Sequence, residues 1–259
     1  MRVHVALCPS EFRTTGLADR TALVVDVLRA STTVVAACAA GCRGVIPVAD
    51  AGAARARAVR FPPGTAVLAG EQGGDPLPGF DLGNSPLEFT PARIAGRTVI
   101  LTTTNGTAAM LAAAGAAGAA VAAMTNLDAV AGWVLARDRD VTVLCAGEQG
   151  AFSLEDAVCA GLLVARLAAG GRLEPSDAAT AALRLGEHYG PRLDLLRRDC
   201  RWARTLGRKG RDGDVSACLT LGGIDIVPVL CDGMAAPDRS DGGAPPVPRL
   251  RPVPEEPRA

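Results

Sequence analysis

The chain has 259 residues, 49% of them hydrophobic, enough for one large core or for two small domains that share a sheet. Its 27 basic and 27 acidic residues balance to a formal net charge of zero, and only 3% of residues are aromatic. With neither a basic face nor a supply of stacking rings, the composition argues against nucleic acid as a partner.

From the amino terminus, Val3–Leu7 alternates and runs into Cys8-Pro9, so a strand is predicted there and not a secretory signal. Glu11–Arg20 is a polar connection. Ala22–Val27 reads as a buried strand carrying Asp26 near its carboxyl end, followed by the polar turn Arg29–Thr33 and a small-residue helix over Thr32–Ala40 that stops at Gly41. Gly44–Val48 is a third strand, Asp50 caps a helix to about Arg60, and Ala66–Ala69 is a fourth strand. Alternation of this kind predicts an α/β protein, three layers deep (α/β/α), around a mixed, largely parallel sheet. Gly70–Pro91 is long and unpatterned but anchored by Leu77, Phe80, Leu82, Leu87 and Phe89, which predicts an ordered, functional loop.

Thr98–Thr103 is a β-branched strand leading into Thr104-Asn105-Gly106-Thr107 and an Ala-rich helix. Ala119–Met124 and Val141–Cys145 are further strands; Thr125 or Asn126 caps the helix Leu127–Ala136, and Ser153 opens another, to about Ala168, with capping-box-like spacing. Helices follow over Asp177–Glu187 and Pro191–Leu206, with a last helical turn at Asp214–Leu219 and a terminal strand at Ile224–Val229. The domain is expected to fill residues 1–233, leaving 234–259 as a Pro- and Gly-rich, disordered tail. The apolar run Leu111–Met124 is too short to span a bilayer, so no membrane partner and a cytoplasmic location are expected. Eight scattered cysteines without a C-x-x-C pair predict neither a disulfide nor a zinc site.

Several strand ends carry matching equipment. Asp26, Arg29, Ser31 and Thr32 form one set; Thr104, Asn105, Gly106 and Thr107 a second; Gly147, Ser153, Glu155 and Asp156 a third; and the long loop adds Glu71, Asn84 and Ser85. Carboxylates suit a hard cation, while hydroxyls, glycine turns and helix starts suit an anion. The combination is that of a Mg²⁺-dependent phosphate-ester site, with a small anionic phosphoester as ligand. Each set alone also reads as ordinary turn and cap chemistry: Asp26 or Ser31 can cap its helix, and Glu155 and Asp156 are ordinary partners of a helix dipole. Neither G-x-G-x-x-G nor the P-loop pattern occurs.

The blocks Val25-DVLRASTT-Val34, Gly70-EQGG…GFDLGNSPLE-Phe89, Leu101-TTTNGT-Ala108 and Cys145-AG…FSLEDAVCAG-Leu162, in this order, resemble the 2-phosphosulfolactate phosphatase (ComB) family over roughly residues 3–230. The resemblance implies a layered α/β/α fold and Mg²⁺-dependent hydrolysis of 2-phospho-3-sulfolactate to 3-sulfolactate and phosphate, a step of coenzyme M biosynthesis; it is compatible with a homodimer. It implies catalytic roles for Asp26, Arg29 and Glu71, metal binding by some of Asp26, Glu71, Glu155 and Asp156, and substrate contacts from Ser31, Thr32, Asn84, Ser85, Thr104, Asn105, Gly106, Thr107, Gly147 and Ser153. Water and Asp26 both stand as the attacking group. Two departures bear on the substrate: Gln72 stands where the family loop commonly has Arg, and Trp202-Ala203 where it commonly has His-Gly. They leave open a different 2-phospho-hydroxyacid, or a phosphoester-binding protein without turnover.

Overall fold

The strand β2 (Thr21–Val25) shows how the layers form. Its side chains alternate: Leu23 and Val25 enter one apolar core, Ala22 and Val24 the other. A strand buried on both faces is what a sheet covered by helices on each side requires. The computed structural model describes residues 1–12 and 16–238, and the remaining elements are taken in order.

β1 (Arg2–Ala6) precedes β2, and α1 (Ala30–Ala39) follows it. Then come β3 (Gly44–Pro47), α2 (Ala51–Ala58), β4 (Ala66–Gln72), β5 (Asp75–Pro76), α3 (Pro91–Ile94), β6 (Thr98–Thr102) and α4 (Gly106–Ala112). β7 (Gly118–Ala122), α5 (Leu127–Leu135), β8 (Val141–Cys145), α6 (Leu154–Gly170), β9 (Glu174–Pro175) and α7 (Asp177–Tyr189) follow. The chain continues through α8 (Leu193–Asp199), α9 (Arg201–Arg208), α10 (Asp212–Cys218), β10 (Pro228–Cys231) and β11 (Met234–Pro237). Among the described residues these strands make one 11-stranded sheet, ordered β5-β4-β6-β3-β11-β10-β7-β2-β8-β1-β9. The three-layer α/β/α architecture and the mixed, largely parallel sheet are as expected.

Two parallel runs, β4-β6-β3 and β7-β2-β8-β1-β9, flank the hairpin β10–β11. The three pairings between the runs (β7 with β10, β10 with β11, β11 with β3) are all antiparallel. The runs therefore have opposite sense, and a flat sheet would put their carboxyl ends on opposite edges. The loops after β6 and β2 nonetheless touch, at Gly106 and Asp26.

Three expectations are corrected. The helix read over Pro191–Leu206 is two helices, α8 and α9, because Cys200 is extended (φ −67°, ψ 122°) and its sulfur caps α9 by accepting from Ala203 N. The run Ile224–Val227 is not strand: Ile224 N donates to Thr125 O, and Asn126 Nδ2 to Ile226 O, so this backbone is tied to the turn before α5. Residues 234–237, assigned to the tail, form β11 in the middle of the sheet, where Ala235 is buried against Val45; residues 239–259 lie outside the described residues. The predicted loop is ordered in part as strand, since β4 runs through Glu71 to Gln72 and turns back into β5. Among the described residues no helix is long and apolar enough to cross a membrane.

Candidate active site

The site starts where β2 ends. Asp26 is the first polar residue after the apolar run, and its backbone and side chain build the turn into α1. Its N–H donates to Ser31 Oγ (2.9 Å), its Oδ1 accepts from Ala30 N (3.1 Å), and its carbonyl accepts from Ser31 N (2.9 Å). Asp26 thus does cap the start of α1, and it also lines a cleft. α4 begins against it: a Cβ added at Gly106 would collide with Asp26 Oδ2 and the Cβ of Ala30, so only glycine lets the two helix starts meet over this carboxylate.

Glu71, near the end of β4, stitches two neighbouring turns together. Its Oε1 accepts from Thr104 N (2.8 Å) and its Oε2 from Gly74 N (2.5 Å). Thr104 Oγ1 in turn accepts from Gly73 N (3.2 Å), and Asn105 Oδ1 from Gln149 N (3.1 Å). Arg29 is buried, with Nη1 on Asp214 Oδ2 (2.6 Å) and Nη2 on Gly74 O (2.8 Å). Asn84 is 4% exposed and its Oδ1 has no hydrogen-bond partner among the described residues. Asp26, Arg29, Glu71, Asn84, Thr104 and Asn105 all line one cleft, which is partly open to solvent.

The other expected residues stand behind this wall. The Ser31 hydroxyl, besides accepting from Asp26 N, lies 3.3 Å from Val24 O; Thr32 Oγ1 donates to Val27 O; and Thr107 and Thr103 lock each other's backbone. Ser85 Oγ donates to Asp214 Oδ1 (2.5 Å). Ser153 is not the predicted cap: it makes no cap hydrogen bond, and its buried Oγ has no partner among the described residues. Asp156 accepts from Val27 N (2.8 Å) and Gly147 N (3.0 Å), and Glu155 accepts from the Cys200 thiol (2.9 Å). Neither acid lines the cleft, and among the described residues no group of three or more His, Cys, Asp or Glu is arranged as a metal site. Of the four carboxylates from which metal ligands were expected, Asp26 and Glu71 line the cleft and Glu155 and Asp156 do not. The physical reason is that backbone N–H groups and a thiol occupy the rear pair.

Sequence reading missed Glu148, Gln149 and Asp214. The first two lie in the turn after β8 and line the cleft; Glu148 forms a rim ion pair with Arg201 (2.7 Å). Their place at a strand end was the available signal. Asp214 had none, since it sits 185 residues from Arg29 in a short polar helix. Trp202 lines the cleft, whereas Gln72 is exposed and does not.

The acids crowd one another. Burial, and then the charges of Glu71 and Glu155, push the Asp26 carboxyl up from 3.8 to about 7, against the opposing hydrogen bond from Ala30. Burial raises Glu155 and lifts Asp156 well above the ordinary range, with the Glu155 and Asp26 charges adding to the latter. Among the residues lining the cleft, Asp26, Glu71 and Glu148 face one guanidinium, whose charge Asp214 already matches.

Fold and cleft define an α/β protein with an acidic, oxygen-rich pocket at strand ends, where such folds bind small ligands. Comparison with known proteins gives the family. A family model described as 2-phosphosulpholactate phosphatase matches residues 6–233. A probable 2-phosphosulfolactate phosphatase of Symbiobacterium thermophilum is 39% identical over 218 residues, 84% of this chain and 94% of the relative. Proteins of the same description from Caldanaerobacter subterraneus subsp. tengcongensis (34%, covering 84% and 90%) and Deinococcus radiodurans (38%, covering 92% and 96%) are similar throughout. The chain belongs to the 2-phosphosulfolactate phosphatase family, a family of phosphoric monoester hydrolases.

Proposed function

We propose that the protein hydrolyses the phosphate ester of a short 2-hydroxy acid, 2-phospho-3-sulfolactate foremost, to 3-sulfolactate and phosphate in a Mg²⁺-dependent reaction. The relatives' descriptions supply the substrate. The charge balance of the cleft supports the cation: with Arg29 matched by Asp214 and Glu148 by Arg201, Asp26 and Glu71 leave the cleft acidic and would repel a phosphate ester unless positive charge enters with it.

The donor set fits such an ion. Asp26, Glu71 and the unpartnered Asn84 Oδ1 are hard oxygen donors on one wall, and Mg²⁺ characteristically takes one or two carboxylates, keeps several waters and shares substrate phosphate. When bound, the ion would neutralise charge on the phosphate oxygens. The remaining work falls to the chain. Asp26 orients the attacking water and receives its proton. Arg29 pairs with the acid group of the substrate through its unbonded N–H groups. Asn105 and the start of α4 present N–H groups to the phosphate. Trp202 closes one side of the cleft and limits access of bulk water.

The test is phosphate release from 2-phosphosulfolactate and from 2-phospholactate, with Mg²⁺ and with a chelator. Release that needs Mg²⁺ and returns on adding it back is expected. No release from either ester with Mg²⁺ present, or release indifferent to chelation, would overturn the reading.

A further inference from the structure

The buried ion pair of Arg29 joins three segments that are distant in sequence. Arg29 comes from the turn after β2, Asp214 from α10, and Ser85 from the loop before α3; Asp214 Oδ2 takes Arg29 Nη1 and Asp214 Oδ1 takes the Ser85 hydroxyl. The side chains of Arg29 and Asp214 are 2% and 6% exposed. Ser85 neighbours Asn84, whose carbonyl accepts from Thr33 Oγ1 and whose side-chain oxygen is the unpartnered group in the cleft. Gly74 O holds a second edge of the guanidinium. One carboxylate therefore fixes both the direction of Arg29 and the position of the loop that carries Asn84.

We propose that Asp214 is a positioning residue for an acid-group subsite at which Arg29 supplies the N–H donors, while the loop it holds keeps Asn84 at the edge of the cleft. This rests on the function proposed above and deepens it. Because Asp214 matches the charge of Arg29, the pair offers the substrate directed N–H donors and little net positive charge. Such a site selects by geometry: it rewards a planar carboxylate or a sulfonate at one fixed place and contributes little toward the phosphate common to all esters. A guanidinium without Asp214 would retain its charge and lose its aim.

The experiment measures kcat and KM of wild type, Asp214→Asn and Arg29→Lys on 2-phospholactate, which carries an acid group, and on phenyl phosphate, which does not, with melting temperatures recorded alongside. For Asp214→Asn the expected result is a KM for 2-phospholactate raised about tenfold or more, with kcat and the phenyl phosphate kinetics within about threefold of wild type. Arg29→Lys, which removes the forked donor itself, should raise the KM for 2-phospholactate at least as far. Equal loss on both esters would show a structural role only and overturn the proposal, as would no change on either. Should Asp214→Asn fail to fold, Ser85→Ala removes a single bond to Asp214: a selective KM rise of twofold or more on 2-phospholactate supports the proposal, and its absence overturns it. A wild-type protein inactive on every ester would instead sink the phosphatase reading.

Discussion

Two acidic pairs lie within reach of each other, and their fates differ. Asp26 and Glu71 face the cleft; Glu155 and Asp156, at the start of α6, sit behind it. Both pairs lie near strand ends or helix starts, and both suggest metal ligands from residue type alone. What sets Asp26 apart from Glu71 and Asp156 is how little its oxygens already hold. Asp156 takes two backbone N–H groups that join the turns after β2 and β8, and Glu155 takes a thiol from the break between α8 and α9. These are clamps between segments. In the front pair, Glu71 likewise takes two backbone N–H groups, from Thr104 and Gly74, while Asp26 takes one N–H at Oδ1 and keeps its Oδ2 against the Cβ-free face of Gly106. An acid whose oxygens are consumed by the fold supports structure, and one with an oxygen to spare is available for chemistry.

Substitutions can break or sharpen this contrast. Asp26→Asn should have the largest effect: it keeps the shape of the turn, and phosphate release should fall by about a thousandfold or more, roughly 4 kcal/mol in transition-state stabilisation, in steady-state assays. Asp156→Ala should act on folding instead. Two buried N–H groups would lose their acceptor, at about 1–3 kcal/mol each, so denaturant unfolding should show a loss of about 2–6 kcal/mol. Were Asp156→Ala stable but inactive, the rear pair would be part of the catalytic machinery after all.

The pH dependence of stability gives a third handle. Because Asp26 is raised from 3.8 to about 7, the native state keeps a proton that the unfolded chain releases. Its stabilising contribution is full below about pH 4 and is lost as pH rises through about 7. In chelator, wild type should lose about 2 kcal/mol more than Asp26→Asn between pH 5.5 and pH 8, at 1.36 kcal/mol per pH unit, read from unfolding midpoints. An identical pH slope in the two proteins would mean that Asp26 is not strained by its neighbours. Smallest of all, Arg201→Ala removes a largely exposed partner of Glu148 and should change stability by less than about 1 kcal/mol in the same unfolding assay.

The architecture was legible because periodicity reports it: strands buried on both faces, broken by Gly-stopped and Asp-capped helices, allow little but a layered α/β sheet. The Asp50 cap is an instance, its side chain accepting from Ala53 N as the sequence suggests. The front of the site was legible as well, since Asp26 and Asn105 occupy turns after strands and Glu71 lies at the end of β4, where the polar loop was read. What stayed hidden depends on partners distant along the chain. Nothing near Asp214 points to Arg29, nothing near Cys200 signals that its sulfur caps α9 while its thiol meets Glu155, and a Pro-flanked segment at 234–237 gives no local sign that the sheet closes around it. Pattern reading identifies a carboxylate at a helix start, but only the folded chain shows whether backbone donors have already taken it.

The most direct test is calorimetric titration of Mg²⁺ into the full-length protein at pH 8, comparing wild type, Asp26→Asn and Glu155→Gln. The front-pair account predicts that Asp26→Asn loses binding at least tenfold while Glu155→Gln binds as wild type does. Loss of binding in Glu155→Gln with retention in Asp26→Asn would contradict it.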